Sequence, residues 1–145
     1  MKAWFKLLYL VSCLNLKAFG YYLSPTKFES WQESSNFCEQ DCKSKLVSIH
    51  NKQEYDEILI HINSSSFNYG SVWIGLNNIN QNNWLWTDGT PFDYGNPIIK
   101  GQYPWSDQLT QSSTSSPKCT LLDANDHFRW NTRYITITLY NYNTI

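Results

Sequence analysis

Aromatic and polar side chains that could bind a ligand are interleaved in the irregular stretch from Pro91 to Lys118. An aromatic ring can stack on a flat apolar face of a ligand, and a nearby carboxylate or amide can fix the ligand's orientation. The candidate ligand-binding side chains of this stretch are Tyr94, Tyr103, Trp105, Asp107 and Gln108. The alternative is that the rings fold inward and attach the stretch to the core, and we favour this alternative for Trp105.

The three histidines, His50, His61 and His127, are dispersed along the chain. No spacing typical of a zinc site, a Ser-His-Asp triad or a phosphate-binding loop is present. We expect His50 and His61 to be structural or solvated. Asp123, Asp126 and His127 cluster between two predicted strands, where we expect solvated turn residues. The sequence therefore predicts a protein that is not an enzyme.

The composition indicates one aromatic-rich, weakly charged domain. The chain has 145 residues, of which 17% are aromatic and 16% are charged, and its net charge is −1. This length predicts a single domain with a sizeable core. The lysines are scattered and form no basic stripe, which argues against nucleic acid as a partner.

The first twenty residues predict a signal peptide. Lys2 and Lys6 give a positive start, Leu7–Leu14 is a short apolar centre, and a small-x-small site runs from Ala18 to Gly20. We expect cleavage after Gly20 or after Ala18, the alternative being an uncleaved anchor. Cleavage leaves 8 Lys and Arg against 12 Asp and Glu, a net charge of −4. No other stretch could span a membrane, so we expect a secreted, extracellular protein.

Two helices are predicted in the first half of the chain. Ser30 and Glu33 form a capping box that opens a helix of about twelve residues. Asn51 can cap a second helix, from Lys52 to about Ile62. Asn63 then begins an N-glycosylation sequon in what we expect to be a polar loop.

Val72–Leu76 is the strongest apolar run beyond the N-terminus and predicts a central buried strand. Gly75 within it predicts a close approach of another backbone or a ring. Trp84 and Trp86 alternate, which places both indoles on one sheet face. Further strands are predicted at Tyr21–Ser24, Cys119–Leu122, Phe128–Thr132 and Tyr134–Tyr140, and Leu46–Ile49 is predicted as a short strand or a turn into the core. The predicted structural core comprises Trp31, Trp73, Gly75, Leu76, Trp84, Trp86 and Trp130. Helices followed by strands around one long loop predict an α+β fold.

In order and spacing, these segments resemble the C-type lectin-like domain. Trp73-Ile74-Gly75-Leu76 is similar to the family's core strand motif, and the stretch from Trp84 to Phe92 resembles the strand and turn that follow it. Further matches are Trp31, Ser34 and Cys38 in the first helix, Leu46–His50, Cys119–Leu122 and Trp130–Thr132. The segments Asp93-Tyr94-Gly95 and Tyr103-Pro104-Trp105 are similar to those of secreted nematode members of the family.

The resemblance covers Tyr21 to about Thr132 and implies two helices packed on small antiparallel sheets with a long irregular loop. The chain is then divided into a signal peptide (1–20), the domain (21–132) and a divergent tail (133–145). The family implies binding of glycans or glycoproteins through the long loop. The alternative is a module of the same fold that binds other proteins and has no sugar specificity.

Many members of the family hold a sugar through calcium, which needs six to eight oxygen ligands. The family's ligand pair around a proline corresponds here to the segment from Trp105 to Leu109, which has no proline between Asp107 and Gln108. The family's glutamate before the loop-closing cysteine is Pro117, and the last of its ligands is Thr132. Asn131 remains as one matching ligand. We therefore expect no cofactor and weak or no calcium dependence.

After loss of the signal peptide the chain keeps three cysteines, Cys38, Cys42 and Cys119. Cys38 and Cys119 match the early members of the family's two disulfides, but the late partners are absent. Cys38 and Cys42, one helical turn apart, are too distant for a disulfide. The tail is either a divergent last strand or a reading-frame artefact, and we slightly favour the artefact.

Overall fold

The computed structural model describes residues 10–14, 21–24, 30–65, 70–80, 83–109 and 116–135. Most of the predicted signal peptide, and the predicted tail strand beyond residue 135, lie outside these residues. The described part contains two α-helices, one 3₁₀ turn and a mainly antiparallel sheet. The predicted α+β class is therefore confirmed.

Local sequence signals place both helices. Helix α1 spans Trp31–Gln40, and Ser30 and Glu33 form the predicted capping box at its start. Helix α1 is slightly shorter than predicted, because Lys43 has a left-handed φ of 52° and the Ser44 N–H turns back to the Cys38 carbonyl at 2.8 Å. Helix α2 spans Lys52–Ser64, and the Asn51 side chain accepts the Glu54 N–H. It continues past Ile62, so Asn63 lies in its last turn and not in a loop.

Six strands of the described residues form one sheet in the order β2-β1-β4-β5-β6, with β3 paired to β1. Their bounds are β1 Leu10–Leu14, β2 Tyr21–Leu23, β3 Lys45–Leu46, β4 Val72–Asn77, β5 Lys118–Asp123 and β6 Arg129–Tyr134. All pairs are antiparallel except β1 with β4. The predicted central strand, β4, lies between β1 and β5.

Strand β1 coincides with the apolar centre of the predicted signal peptide. Leu10 pairs with Val72 and Val11 with Trp73, so β1 connects β2 and β3 to the rest of the sheet. Cleavage after Gly20 would remove this connection. The cleavage itself stays a prediction.

The tryptophans predicted for the core are buried to different degrees. Trp31, Trp86 and Trp130 are at most 5% exposed, whereas Trp73 and Trp84 are half-buried. The Trp31 Nε1–H donates to the Ile74 carbonyl at 2.8 Å and so joins α1 to β4. The segment at Trp84 and Trp86 forms no regular strand, because only Leu85 makes bridges there, to Asn77 and Pro91.

Gly75 lies at the close approach that its position in a strand predicts. An added Cβ would lie 2.6 Å from Thr87 Oγ1, 2.9 Å from the Leu46 carbonyl and 3.2 Å from the Val47 carbonyl. The Gly75 N–H donates to the Val47 carbonyl at 2.9 Å, and its own carbonyl accepts the Thr87 N–H at 3.1 Å. This glycine therefore joins β4 to the segment between the two helices.

Candidate functional site

The long loop, residues 91–109 of the described chain, is attached to the core by inward-facing rings. Trp105 is fully buried, its ring centroid lies 5.4 Å from that of Trp130, and its Nε1–H donates to the Gly95 carbonyl at 2.6 Å. Phe92 approaches Trp105 edge-on at 6.4 Å. Trp105 therefore anchors the loop, as the alternative favoured from the sequence predicts, and it offers no face to a ligand.

Tyr94 and Tyr103 remain at the surface of the loop. Tyr103 is 47% exposed and its ring lies 5.4 Å from that of Tyr55, while the half-buried Tyr94 lies 5.7 Å from Trp130. Partial burial raises the pKa of both hydroxyls, as does the mutual repulsion of the two phenolates for Tyr94. Both phenols are therefore neutral at physiological pH and can donate and accept hydrogen bonds.

Asp107 and Gln108 are exposed a few residues after Tyr103 in the same loop. The Asp107 carboxylate accepts a hydrogen bond at 2.8 Å from Arg129, whose side chain is 20% exposed. The Gln108 N–H donates to Ser106 Oγ at 2.9 Å, and the Ser106 hydroxyl donates to the Asp126 carboxylate. The Gln108 side chain therefore projects from a turn whose backbone is fixed.

Asn131, predicted as a ligand-binding residue, is 2% exposed and already hydrogen-bonded. Its Nδ2 donates to Asp123 Oδ2 at 3.1 Å, and its Oδ1 accepts the Thr132 N–H at 2.9 Å. Because Asn131 lies inside the sheet, it does not share a surface with Tyr94 and Tyr103. Of the six candidate ligand-binding residues, the structure therefore buries two, Trp105 and Asn131.

The residues at the family's calcium positions do not fit the ion. Asn131 has its oxygen bonded to backbone, Thr132 contributes only a buried hydroxyl, and Asp107 is paired with Arg129. Calcium needs six to eight oxygens. Within the described ranges, no group of three or more His, Cys, Asp or Glu side chains could hold a metal ion.

Asp123 corrects the expectation of solvated residues in the turn between β5 and β6. It is 3% exposed, and its carboxylate accepts hydrogen bonds from Asn125 N–H and Asn131, with Arg133 at 3.3 Å. The carboxylate caps the 3₁₀ turn Ala124–Asp126. The sequence could not show this because two of its partners come from the next strand.

His50 has a structural position, as we expected. Its Nδ1 lies 2.9 Å from Asp93 Oδ1 and its Nε2 lies 3.1 Å from Thr90 Oγ1. The Thr90 hydroxyl also lies 2.6 Å from Asp88, which accepts the Ser48 hydroxyl at 2.6 Å as well. These hydrogen bonds hold the pKa of Asp88 below its usual value despite partial burial. The network ties the start of the long loop to the segment before α2.

The cysteines differ in state. Cys38 is fully buried and disulfide-bonded, whereas Cys42 and Cys119 are free thiols. This disulfide does not follow from the family resemblance, because the late cysteine that pairs with the first-helix cysteine in the family is absent from this chain. Cys119 is 1% exposed, and burial raises the pKa of its thiol to about 12. Cys42 is partly exposed, so it is the more accessible of the two thiols.

A cavity of about 410 Å³ lies between the start of α1, β4, β5 and the end of β6. Its lining includes Trp31, Trp73, Cys119, Arg133 and Tyr134. None of the described residues that line it belongs to the long loop. The cavity is therefore separate from the surface of Tyr94 and Tyr103.

Comparison with known proteins supports the resemblance seen in the motifs. A family model described as the lectin C-type domain matches residues 27–138. Dromaiocalcin-2 of Dromaius novaehollandiae is 39% identical over 76 residues, which cover 46% of this chain and 53% of that protein. Snaclec 3 of Daboia siamensis is 39% identical over 71 residues, covering 48% and 47% of the two chains. The chain thus spans about half the length of these curated relatives.

Solved structures show the same architecture. The carbohydrate-recognition domain of the mouse scavenger receptor C-type lectin is 30% identical, covers 72% of this chain and 70% of its own, and has a TM-score of 0.50. Human lithostathine is 20% identical, covers 87% of this chain and 72% of its own, and has a TM-score of 0.58, which supports the fold alone. No helix in the part of the chain described by the structure is long and apolar enough to cross a membrane.

Proposed function

Because the chain belongs to the lectin C-type domain family, we propose that it is a secreted, non-enzymatic recognition protein that binds glycans with weak or no dependence on calcium. The binding surface is the outer face of the long loop around Tyr94 and Tyr103, with Asp107 and Gln108 as polar neighbours. A glycan or glycoprotein would stack on the rings and hydrogen-bond to the polar side chains.

The observation that carries this proposal is the half-exposed, supported ring of Tyr103. It is 47% exposed and contacts the ring of Tyr55, which is itself fixed by a 2.5 Å hydrogen bond from its hydroxyl to the Phe128 carbonyl. A ring that is already held in place loses little conformational entropy when a ligand binds. Such a ring is a suitable stacking platform for a sugar.

The weak calcium dependence is supported by the hydrogen bonds of Asn131 and Asp107. Each of these oxygen-bearing side chains already has a partner within the protein, the Thr132 N–H and Arg129 respectively. A bound calcium ion would have to compete with these partners for the same side chains. The absence of enzymatic activity is supported by His50, both of whose ring nitrogens are occupied by structural contacts.

A second candidate is a protein-binding module that uses the same surface. Ile99 is 43% exposed and begins the turn that directly precedes Tyr103, since the Gln102 N–H donates to the Ile99 carbonyl at 3.0 Å. Exposed apolar and aromatic side chains such as these can form the apolar centre of a protein interface. If no glycan binds, a protein partner becomes the favoured candidate.

A glycan array, probed with and without chelator, tests the proposal. We expect binding that persists in chelator and that falls about tenfold in Tyr103→Ala, because a stacked ring contributes about 1.4 kcal/mol. Tyr134→Ala is the matched control, since Tyr134 is 49% exposed but lies on β6 beside the separate cavity. Its affinity for the glycan should equal that of the wild type.

Three outcomes would count against the proposal. Absence of binding under both conditions would remove the glycan function and leave the protein-binding candidate. Binding that disappears in chelator would contradict calcium independence. Equal losses in Tyr103→Ala and Tyr134→Ala would show that the long loop is not the binding surface.

Secretion and glycosylation are tested on the protein released by expressing cells. We expect the mature chain to begin at Tyr21 or Phe19 and to lose mass on treatment with an N-glycosidase, because Asn63 is exposed at the end of α2. A released protein that still contains Leu10–Leu14 would contradict cleavage of the signal peptide. It would also place β1 in the mature sheet.

A further inference from the structure

Three oxygen atoms of the long loop converge on the guanidinium group of Arg129. Nη1 donates to Asp107 Oδ2 at 2.8 Å, and Nη2 donates to the Gly101 carbonyl at 3.0 Å and to the Trp105 carbonyl at 2.6 Å. These acceptors lie 22 to 28 residues away in the sequence. One side chain at the start of β6 therefore holds three separate points of the loop.

The backbone of the neighbouring Trp130 already fixes the middle of this loop segment. The Trp130 N–H donates to the Pro104 carbonyl at 2.9 Å, and the Trp130 carbonyl accepts the Ser106 N–H at 2.9 Å. These bonds hold residues 104–106 as a short bridge along the edge of β6. Arg129 extends the attachment on both sides, to Gly101 and to Asp107, and thereby encloses the turn that carries Tyr103.

The three oxygen atoms surround a positive charge as the ligands of a bound cation do, but here the charge is the guanidinium group of Arg129. A carboxylate and two carbonyl oxygens are ligands that a hard metal ion prefers, but here they face a fixed positive charge. Hydrogen bonds from a guanidinium to such oxygens are stronger than neutral ones. The Arg129 side chain is 20% exposed and the Asp107 side chain is 72% exposed, so water screens the ion pair more than it screens the bond to the carbonyl of the buried Trp105.

We propose that Arg129 is the positioning residue that closes the long loop and holds Tyr103 at the surface, with its own charge in the role of a bound cation. The closed loop then depends on Arg129 and not on added calcium. This inference concerns the conformation of the unliganded protein. It stands or falls separately from the proposed binding of glycans.

Limited digestion with trypsin at native conditions tests the closure. Lys100 is exposed and directly precedes Gly101, one of the residues that Arg129 holds. In Arg129→Gln we expect cleavage after Lys100 to be at least tenfold faster than in the wild type. Arg129→Lys keeps the positive charge but loses the planar guanidinium group with its several N–H donors. Its rate of cleavage after Lys100 should lie between those of the wild type and Arg129→Gln. The wild-type rate should be the same in calcium and in chelator.

Two controls separate a local role from a general loss of stability. Cleavage after Lys52, in the first turn of α2, should not change, because Arg129 holds the loop and not the helix. Arg133→Gln is the matched variant, since Arg133 also lies on β6 but pairs with Asp123. Its cleavage after Lys100 should equal that of the wild type.

If Arg129→Gln does not fold, Asp107→Asn provides the test, because the Asp107 side chain is 72% exposed and its change leaves the core intact. We expect cleavage after Lys100 to rise about threefold, because an ion pair with one exposed partner contributes less than about 1 kcal/mol. The proposal would be overturned if either variant were cleaved after Lys100 at the same rate as the wild type. Equal increases at Lys52 and Lys100, or protection of Lys100 by calcium in the wild type, would also overturn it.

Discussion

Replacing Gly75 by alanine should be among the most damaging single-methyl additions in this protein. The added Cβ would lie 2.6 Å from Thr87 Oγ1, 2.9 Å from the Leu46 carbonyl and 3.2 Å from the Val47 carbonyl. Contacts below about 3.4 Å require the neighbour to move. The two carbonyls belong to the backbone, and the Val47 carbonyl is bonded to the Gly75 N–H itself.

The size of the effect follows from these contacts. Overpacking in a core costs about 1–3 kcal/mol, and a backbone that is already hydrogen-bonded places Gly75→Ala at the upper end, about 3 kcal/mol. This is a large share of a typical total stability of about 5–15 kcal/mol. For a chain of this length the melting temperature should fall by roughly 6–12 °C.

Urea unfolding followed by tryptophan fluorescence measures the change. Gly89→Ala is the control, because Gly89 has φ +83° but no atom within 4 Å of its added Cβ. It should cost only the backbone strain, about 1–2 kcal/mol. Thr87→Ala in the Gly75→Ala background removes the closest contact and should restore about 1 kcal/mol, which a double-mutant cycle reports as coupling.

Two results would refute this reasoning. A Gly75→Ala protein within about 0.5 kcal/mol of the wild type would show that β4 does not lie against the segment from Leu46 to Val47. Full recovery in the double variant would show that the backbone carbonyls move freely and that only Thr87 opposes the methyl group.

The thiols and a buried phenol give two further predictions. At pH 8 a thiol reagent should modify Cys42 in the folded protein and Cys119 only after unfolding. The reason is that Cys119 is 1% exposed and the pKa of its thiol is raised to about 12. A folded Cys42→Ala variant that still reacts with the reagent would contradict this prediction. Folding keeps Cys119 and Tyr55 neutral by burial, with the pKa of both groups raised, whereas the unfolded chain ionises them near 9.0 and 10.0. The free energy of unfolding should therefore fall as pH rises above about 9. Between pH 8 and 10.5 the free energy of unfolding of the wild type should fall by about 2 kcal/mol more than that of Cys119→Ala. Equal decreases in urea titrations of the two proteins would contradict the burial of this thiol.

Features fixed by local sequence were predictable. The capping box at Ser30 and the Asn51 cap depend on residues within four positions, and the structure has both. The central strand and the close approach at Gly75 follow from an unbroken apolar run with one glycine, and both are confirmed. The family resemblance is confirmed by the match over residues 27–138.

The loop and its surroundings were harder to predict because their contacts are distant in sequence. The direction of Trp105 cannot be read from a stretch without periodicity, although the inward alternative was favoured. Asn131 matches a ligand position by residue type, yet its bond to Asp123 across the β5–β6 turn turns it inward.

The role of Arg129 cannot be predicted from the sequence. Its only local signal is a charged residue next to the buried Trp130, and its three acceptors lie more than twenty residues earlier in the chain. A loop-closing arginine becomes visible only when β6 and the loop are placed side by side.

A calcium titration followed by backbone amide NMR tests most directly whether this protein assembles its long loop without a metal. We predict that the amides of residues 99–109 keep the same shifts in chelator and in calcium up to the millimolar range in which extracellular calcium modules bind, about 10⁻⁴–10⁻³ M. The titration needs no knowledge of the ligand. Saturable shifts in this segment below that range, together with broadening of the same amides in chelator, would contradict the account.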